Sequence, residues 1–115
     1  MSTTAASYTL LVRFRVRTGA QAAFDALTAR TVDLIRKHEP GTLLYAIHTT
    51  GVPTERIFYE LYEDQEAFAF HERQPHIQEF LAARGALLQA LPEVTVLTPT
   101  AISRRTAQTS KGDRC

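Results

Sequence analysis

The hydrophobic pattern changes period several times along the chain. In YTLLVRFRVR, 8–17, Leu10, Val12, Phe14 and Val16 fall on one side, and Arg13, Arg15 and Arg17 on the other with Leu11. That alternation predicts a half-buried strand, which the Thr18–Gly19 pair ends. From Ala20 the apolar positions recur at three- and four-residue steps (Phe24, Leu27, Thr31, Leu34, Ile35), the stripe of an amphipathic helix that Pro40–Gly41 stops. TLLYAIHTT, 42–50, and RIFYELYE, 56–63, are rich in β-branched and aromatic residues and predict a second and a third strand around a GVPTE turn. Asp64 is placed to cap a short helix through about Arg73, and Pro75 to open another reaching about Leu91. Pro92 ends that helix, and EVTVLT, 93–98, predicts a last strand closed by Pro99.

The order β-α-β-β-α-β, with the second helix broken at Gln74–Pro75, predicts an α+β fold: a ferredoxin-like four-stranded antiparallel sheet with helices on one face. One such domain is expected over 7–99. Both faces of the second and third strands are apolar, with Leu43, Tyr45 and Ile47 set against Leu44, Ala46 and His48, and Ile57, Tyr59 and Leu61 against Phe58, Glu60 and Tyr62. Helices cover only one face, so a homodimer with sheets packed face to face is expected.

Charge narrows the partners. Of 13 basic and 12 acidic residues, Arg104, Arg105, Lys111 and Arg114 sit in 100–115 against Asp113 alone. Residues 1–99 then carry nine basic and eleven acidic residues, a formal charge of −2. A basic nucleic-acid surface on the folded body is not supported, and the polar, basic 100–115 stretch is expected to be a disordered tail. No apolar run approaches a membrane span, and MSTTAASYTLL lacks the basic start of a signal peptide. Cys115 is the one cysteine, so no internal disulfide can form; a cytoplasmic location is expected. No Gly-rich phosphate loop, nucleotide fingerprint or cysteine cluster is present, so no cofactor and no metal are expected.

Four stretches together resemble the antibiotic biosynthesis monooxygenase (ABM) domain family of small dimeric α+β barrels. These are RFRVRTGAQAAF (13–24), HEPGTLLY (38–45), FYELYED (58–64) and AFAFHERQPHIQEF (67–80). Within it, Tyr62 followed by His71 and Pro75–His76 looks most like the branch holding quinol monooxygenases and the phospho-autoinducer-2 isomerase. The chain has neither Trp nor Asn, two of the three residue types that the family's haem-degrading branch sets around haem, which argues against haem degradation.

The candidate chemistry follows. By spacing, His71 shares a helix face with Ala67 and Phe68, which suits a core histidine bonded to a backbone carbonyl as well as a pocket residue. The resemblance implies the pocket, where a neutral imidazole could take a phenolic or enediol proton. Glu60 and Tyr62 share a strand face with Phe58, expected to continue into Leu44, Ala46 and His48. Glu60 is either a base or a partner of His71 or an arginine. Tyr62 is either a core aromatic with its hydroxyl satisfied or a donor to a substrate oxygen, and Tyr45 has the same two readings, the core one favoured. The expectation is a cofactor-independent monooxygenase of a small aromatic quinol or anthrone, with His71 as base, Tyr62 holding the oxygen anion and Glu60 orienting the imidazole. Phe58, Phe68, Tyr45, His48, His76 and Arg84 are expected around the substrate, although His76 is equally a capping residue. Two alternatives stand: an isomerase of a small hydroxyketone, with Arg73 or Arg84 meeting a phosphate, and a dimeric module that binds a small hydrophobic ligand without turnover.

Overall fold

The computed structural model describes residues 7–103 and 105. Strands β1 (Tyr8–Arg15), β2 (Thr42–Thr49), β3 (Glu55–Tyr62) and β4 (Glu93–Leu97) form one antiparallel sheet in the order β2-β3-β1-β4. Helix α1 (Gln21–His38) joins β1 to β2, and α2 (Gln65–Arg73) and α3 (Pro75–Arg84) join β3 to β4. This is the expected ferredoxin-like α+β fold.

The core lies between the sheet's inner face and the helices. Leu10, Val12 and Phe14 of β1 point into it with Phe58 and Tyr62 of β3, meeting Phe24 of α1 and Phe80 of α3. The phenylalanines pack ring on ring, Phe14 lying 4.4 Å from Phe58 and 5.4 Å from Phe24. Each buried ring contributes about 1.5–3 kcal/mol by leaving water. The α2–α3 break falls where Pro75 requires it. Gln74 serves as C-cap of one helix and N-cap of the next, in an extended conformation (φ −70°, ψ 140°) that a residue before proline favours.

Two details depart from the expected pattern. The helix expected to reach Leu91 ends at Arg84, followed by a short 3-10 turn, Gly85–Leu87. Leu88 is drawn into a bridge with Val16, and the Gln89 N–H donates to the Arg15 carbonyl at 2.8 Å, so tertiary pairing outweighs helical continuation. The phase of β2 is also the reverse of the expected one. Tyr45 lies opposite Glu60 and Ile47 opposite Phe58, while the register shift between Thr42 and Leu44 puts Leu44, Ala46 and His48 on the outer face. Of the expected tail, only the part through 103 and residue 105 are described. Thr98, Pro99, Ala101, Ile102 and Ser103 border a cleft with Thr9, Tyr59 and Leu61 on the outer face; residues 104 and 106–115, including Cys115, lie outside the described residues.

The outer face, opposite the helices, carries Leu11, Leu44, Ala46, Tyr59 and Leu61 in register. Among the described residues, no helix is long and apolar enough to cross a membrane.

Candidate functional site

The site is built around EPGT, 39–42. Pro40 ends α1 and pushes Glu39 out of helical geometry to φ −126°, ψ 82°. The Glu39 N–H still donates to the Ile35 carbonyl, but its side chain turns away into the interior, where it is fully buried. Gly41 lets α2 come close: a Cβ there would stand 2.7 Å from the Ala67 Cβ. Helix α2 is started by Asp64, whose side chain accepts the Ala67 N–H at 2.8 Å. His71, one turn beyond Ala67, is thereby brought to Glu39.

The Glu39 carboxylate has three side-chain donors. Oε1 accepts the Thr42 hydroxyl at 2.6 Å and His71 Nδ1 at 2.7 Å, and Oε2 accepts His76 Nε2 at 2.6 Å. Burial pushes this carboxyl up. The bonds from His71, Thr42 and His76, with the charge of His71, outweigh that and hold it below its ordinary value. Each ring nitrogen points at a carboxylate oxygen rather than at a shared centre. Among the described residues, no group of three or more His, Cys, Asp or Glu is arranged to hold a metal.

Beside His71 a cavity of about 170 Å³ opens between the sheet and α2–α3. It brings together five of the sequence-predicted residues: Tyr45, Glu60, Phe68, His71 and Arg84. No fully buried side-chain nitrogen or oxygen among the described residues lacks a partner. Among the described residues His71 Nε2 has no hydrogen-bond partner while Nδ1 is held by Glu39, so Nε2 is the ring nitrogen left to the cavity. Arg84 lies over the faces of Phe14 and Phe80, 5.6 and 5.7 Å from their centres, with no side-chain hydrogen bond among the described residues. Burial pulls its pKa below the usual arginine range. Burial raises the Tyr45 phenol well above its ordinary value, and the Glu60 and Glu39 charges add to this, so Tyr45 stays a protonated donor.

The other predicted residues stand elsewhere. Tyr62 is fully buried and its hydroxyl donates to Glu60 Oε1 at 2.6 Å. That bond uses the one O–H of Tyr62, so the phenol does not donate to a substrate oxygen in this arrangement; among the described residues no hydrogen bond joins Glu60 to His71, whose Nδ1 is held by Glu39 instead. Burial raises the Glu60 carboxyl, and its one bond from Tyr62 only partly offsets this. Phe58 forms the floor beneath Tyr45, edge-on at 5.7 Å, without lining the cavity. His76 lies behind Glu39, away from the cavity. His48 sits on the outer face, its Nδ1 3.3 Å from the Ile57 carbonyl oxygen, and borders a separate groove beside α1. Arg73 lies over Phe70, outside the cavity.

Glu39 is the residue that sequence reasoning missed. Its signal was present: an acidic residue before Pro-Gly, at the end of a helix whose last turn is otherwise basic.

The comparisons agree with this architecture. The family model for antibiotic biosynthesis monooxygenase matches residues 7–83, from β1 to the last turn of α3, and includes Glu39, Tyr45, Glu60, His71 and His76. No curated protein matches the chain. Among solved structures, Rv0793 from Mycobacterium tuberculosis is 27% identical, with a TM-score of 0.80, over 86% of this chain and 100% of that one. PA3566 from Pseudomonas aeruginosa is 23% identical, with a TM-score of 0.78, over 87% and 100% of the two chains. A structure described as an antibiotic biosynthesis monooxygenase is 18% identical, with a TM-score of 0.76, over 82% and 99%. The last two likenesses bear on the fold alone. On the family match over most of its folded length, the chain belongs to the antibiotic biosynthesis monooxygenase family.

Proposed function

We propose that the protein is a cofactor-independent monooxygenase that oxidises a small aromatic quinol with O₂. The observation that carries this reading is the unpartnered Nε2 of His71 facing a small, aromatic-walled cavity. A base in an apolar site is nearly all such chemistry asks of a protein. His71 Nε2 takes the phenolic proton. The electron-rich anion gives one electron to O₂, and the resulting radical and superoxide combine into a ring peroxide anion. The imidazolium returns its proton to that peroxide. The O–O bond and the C–H bond at the same carbon then break, releasing water and leaving a ring carbonyl. One oxygen atom enters the product and the other leaves as water.

The role first given to Tyr62 passes to Arg84 and Tyr45, which line the cavity and can meet a developing oxygen anion. The cavity's volume is below the ~300 Å³ where drug-sized pockets begin. It therefore favours a single-ring quinol over a three-ring anthrone. The half-buried cation of Arg84 also supports a second reading, in which His71 shuttles a proton between adjacent carbons of a phosphorylated hydroxyketone without O₂. A ligand-binding module without turnover is the third reading.

We further propose that two copies pair through the outer sheet face, where Leu44 is exposed and Ala46, Tyr59 and Leu61 are half-buried. Light scattering is expected to give twice the 12.9 kDa of one chain. A single-chain mass at micromolar concentration would remove this pairing.

The deciding experiment is oxygen uptake by metal-free protein across a panel of hydroquinones, with His71→Ala alongside because quinols autoxidise unaided. Uptake that His71→Ala lowers by about 100-fold or more supports the oxidation and its base. Equal uptake in both proteins removes His71 from the chemistry. No uptake above the blank transfers the proposal to the isomerase or the binding module.

A further inference from the structure

The structure assigns Glu39 as a positioning residue that fixes the proton positions of two histidines at once, His71 as its Nδ1–H tautomer and His76 as its Nε2–H tautomer. The inference rests on reading His71 as the base of the cavity.

An ionised carboxylate only accepts hydrogen bonds. Glu39 accepts the Thr42 hydroxyl and His71 Nδ1 on one oxygen and His76 Nε2 on the other, at 2.6–2.7 Å. Those two ring nitrogens must therefore carry protons. A neutral His71 so held keeps its lone pair on Nε2, the nitrogen that meets the cavity. Left unrestrained in water, a histidine favours the opposite tautomer, with its proton on Nε2 and its lone pair on Nδ1. Glu39 thus supplies what His71 needs to act as a base, and it stabilises the imidazolium once the proton has moved. The Thr42 hydroxyl and His76 in turn hold the carboxylate, so it cannot rotate away from His71. The same arrangement explains why His76 is buried without reaching the cavity.

Glutamine at position 39 separates this role from mere packing. It has the shape of glutamate but one acceptor oxygen and one NH₂ donor, so it cannot accept from both imidazoles. Thr42 and His71 both donate on the same side, which favours the amide oxygen there. The NH₂ then faces His76 Nε2, and His76 must move its proton to Nδ1.

The test is ¹⁵N NMR of the imidazoles at a pH where both are neutral, on the wild type and Glu39→Gln. The expected result is opposite tautomers in the wild type, Nδ1–H for His71 and Nε2–H for His76. In Glu39→Gln, His76 is expected to switch while His71 does not. His71 as Nε2–H in the wild type would overturn the inference, as would unchanged tautomers in Glu39→Gln. The wild-type spectrum needs no variant, so the assignment stays testable even if Glu39→Gln fails to fold. On any quinol the protein oxidises, Glu39→Gln is expected to lower kcat by about tenfold or more with KM within about twofold, because the stabilisation is felt when the imidazolium forms. Correct tautomers without turnover would leave Glu39's hold on the imidazoles standing and sink the oxidation. Turnover that depends on His71, with His71 as Nε2–H, would do the reverse.

Discussion

Glu39 and Glu60 are both buried carboxylates near the same imidazole, His71, and their environments push them in opposite directions. Glu39 receives three side-chain donors, two of them imidazoles, and stays below its ordinary pKa. Glu60 receives one, the Tyr62 phenol, and rises. Burial is common to both, so burial does not decide the charge. The number and kind of donors aimed at each oxygen decide it. One carboxylate is held below its ordinary pKa by the donors around it; the other, beside the cavity, is raised above its own.

Glu39→Ala should have the largest effect. It leaves two buried imidazoles and a hydroxyl without their acceptor and should cost about 3–5 kcal/mol, read as a fall in the urea midpoint. A loss no greater than that of an ordinary surface substitution would show that the three donors are not held by Glu39. Gly41→Ala comes next. Its Cβ meets Ala67, so α2 must shift away from Glu39, at about 1–3 kcal/mol. Ala67→Gly in the same chain should recover most of that loss. If it does not, the close approach of α2 is not what brings His71 to the carboxylate.

Tyr62→Phe acts on the other carboxylate. It removes the single donor and should cost about 1–2 kcal/mol, while moving the Glu60 carboxyl further up, a shift visible in its ¹³C titration. Glu60→Gln should have the smallest effect, and it sharpens the comparison through pH. The raised Glu60 carboxyl means its stabilising contribution is present below the unfolded-state pKa and is lost as pH rises through the folded one. At pH 4 the variant should therefore match the wild type to within about 0.5 kcal/mol, and by pH 8 it should be the more stable. Glu39 runs the other way. Its contribution is present above the unfolded-state pKa and is lost as pH falls through its depressed folded value, so acid should unfold the wild type earlier than a lone Glu60 would require.

The order of elements was legible because each has a local cause: alternation in β1, the three-four stripe of α1, Asp64 as a cap and Pro75 at a helix start. Two things were not. Which face of β2 turns inward depends on pairing register and on the irregularity near Leu43, and these belong to two strands rather than one. Of the site, His71, Glu60, Phe68 and Arg84 were expected to lie together and do line one cavity, whereas Tyr45 reaches it only through the phase of β2. The partner of His71 could not be anticipated. An acidic residue before Pro-Gly reads as a solvated helix end, and the donors that meet it inside, His71 and His76, come from α2 and α3, far along the chain. Glu60, the nearer candidate on a strand of aromatics, had its own tyrosine two residues away.

Glu39 stands 32 residues before His71 and 37 before His76. No local segment can assemble that cluster, since its closure needs α1, β2, α2 and α3 already docked. A compact acid state that keeps its helices but loses fixed packing would release both imidazoles together. During refolding, the paired histidine signals should thus return with the last, long-range step and lag behind helix formation. The cluster reports on native tertiary order, and the base it holds becomes competent only in a chain that has finished folding.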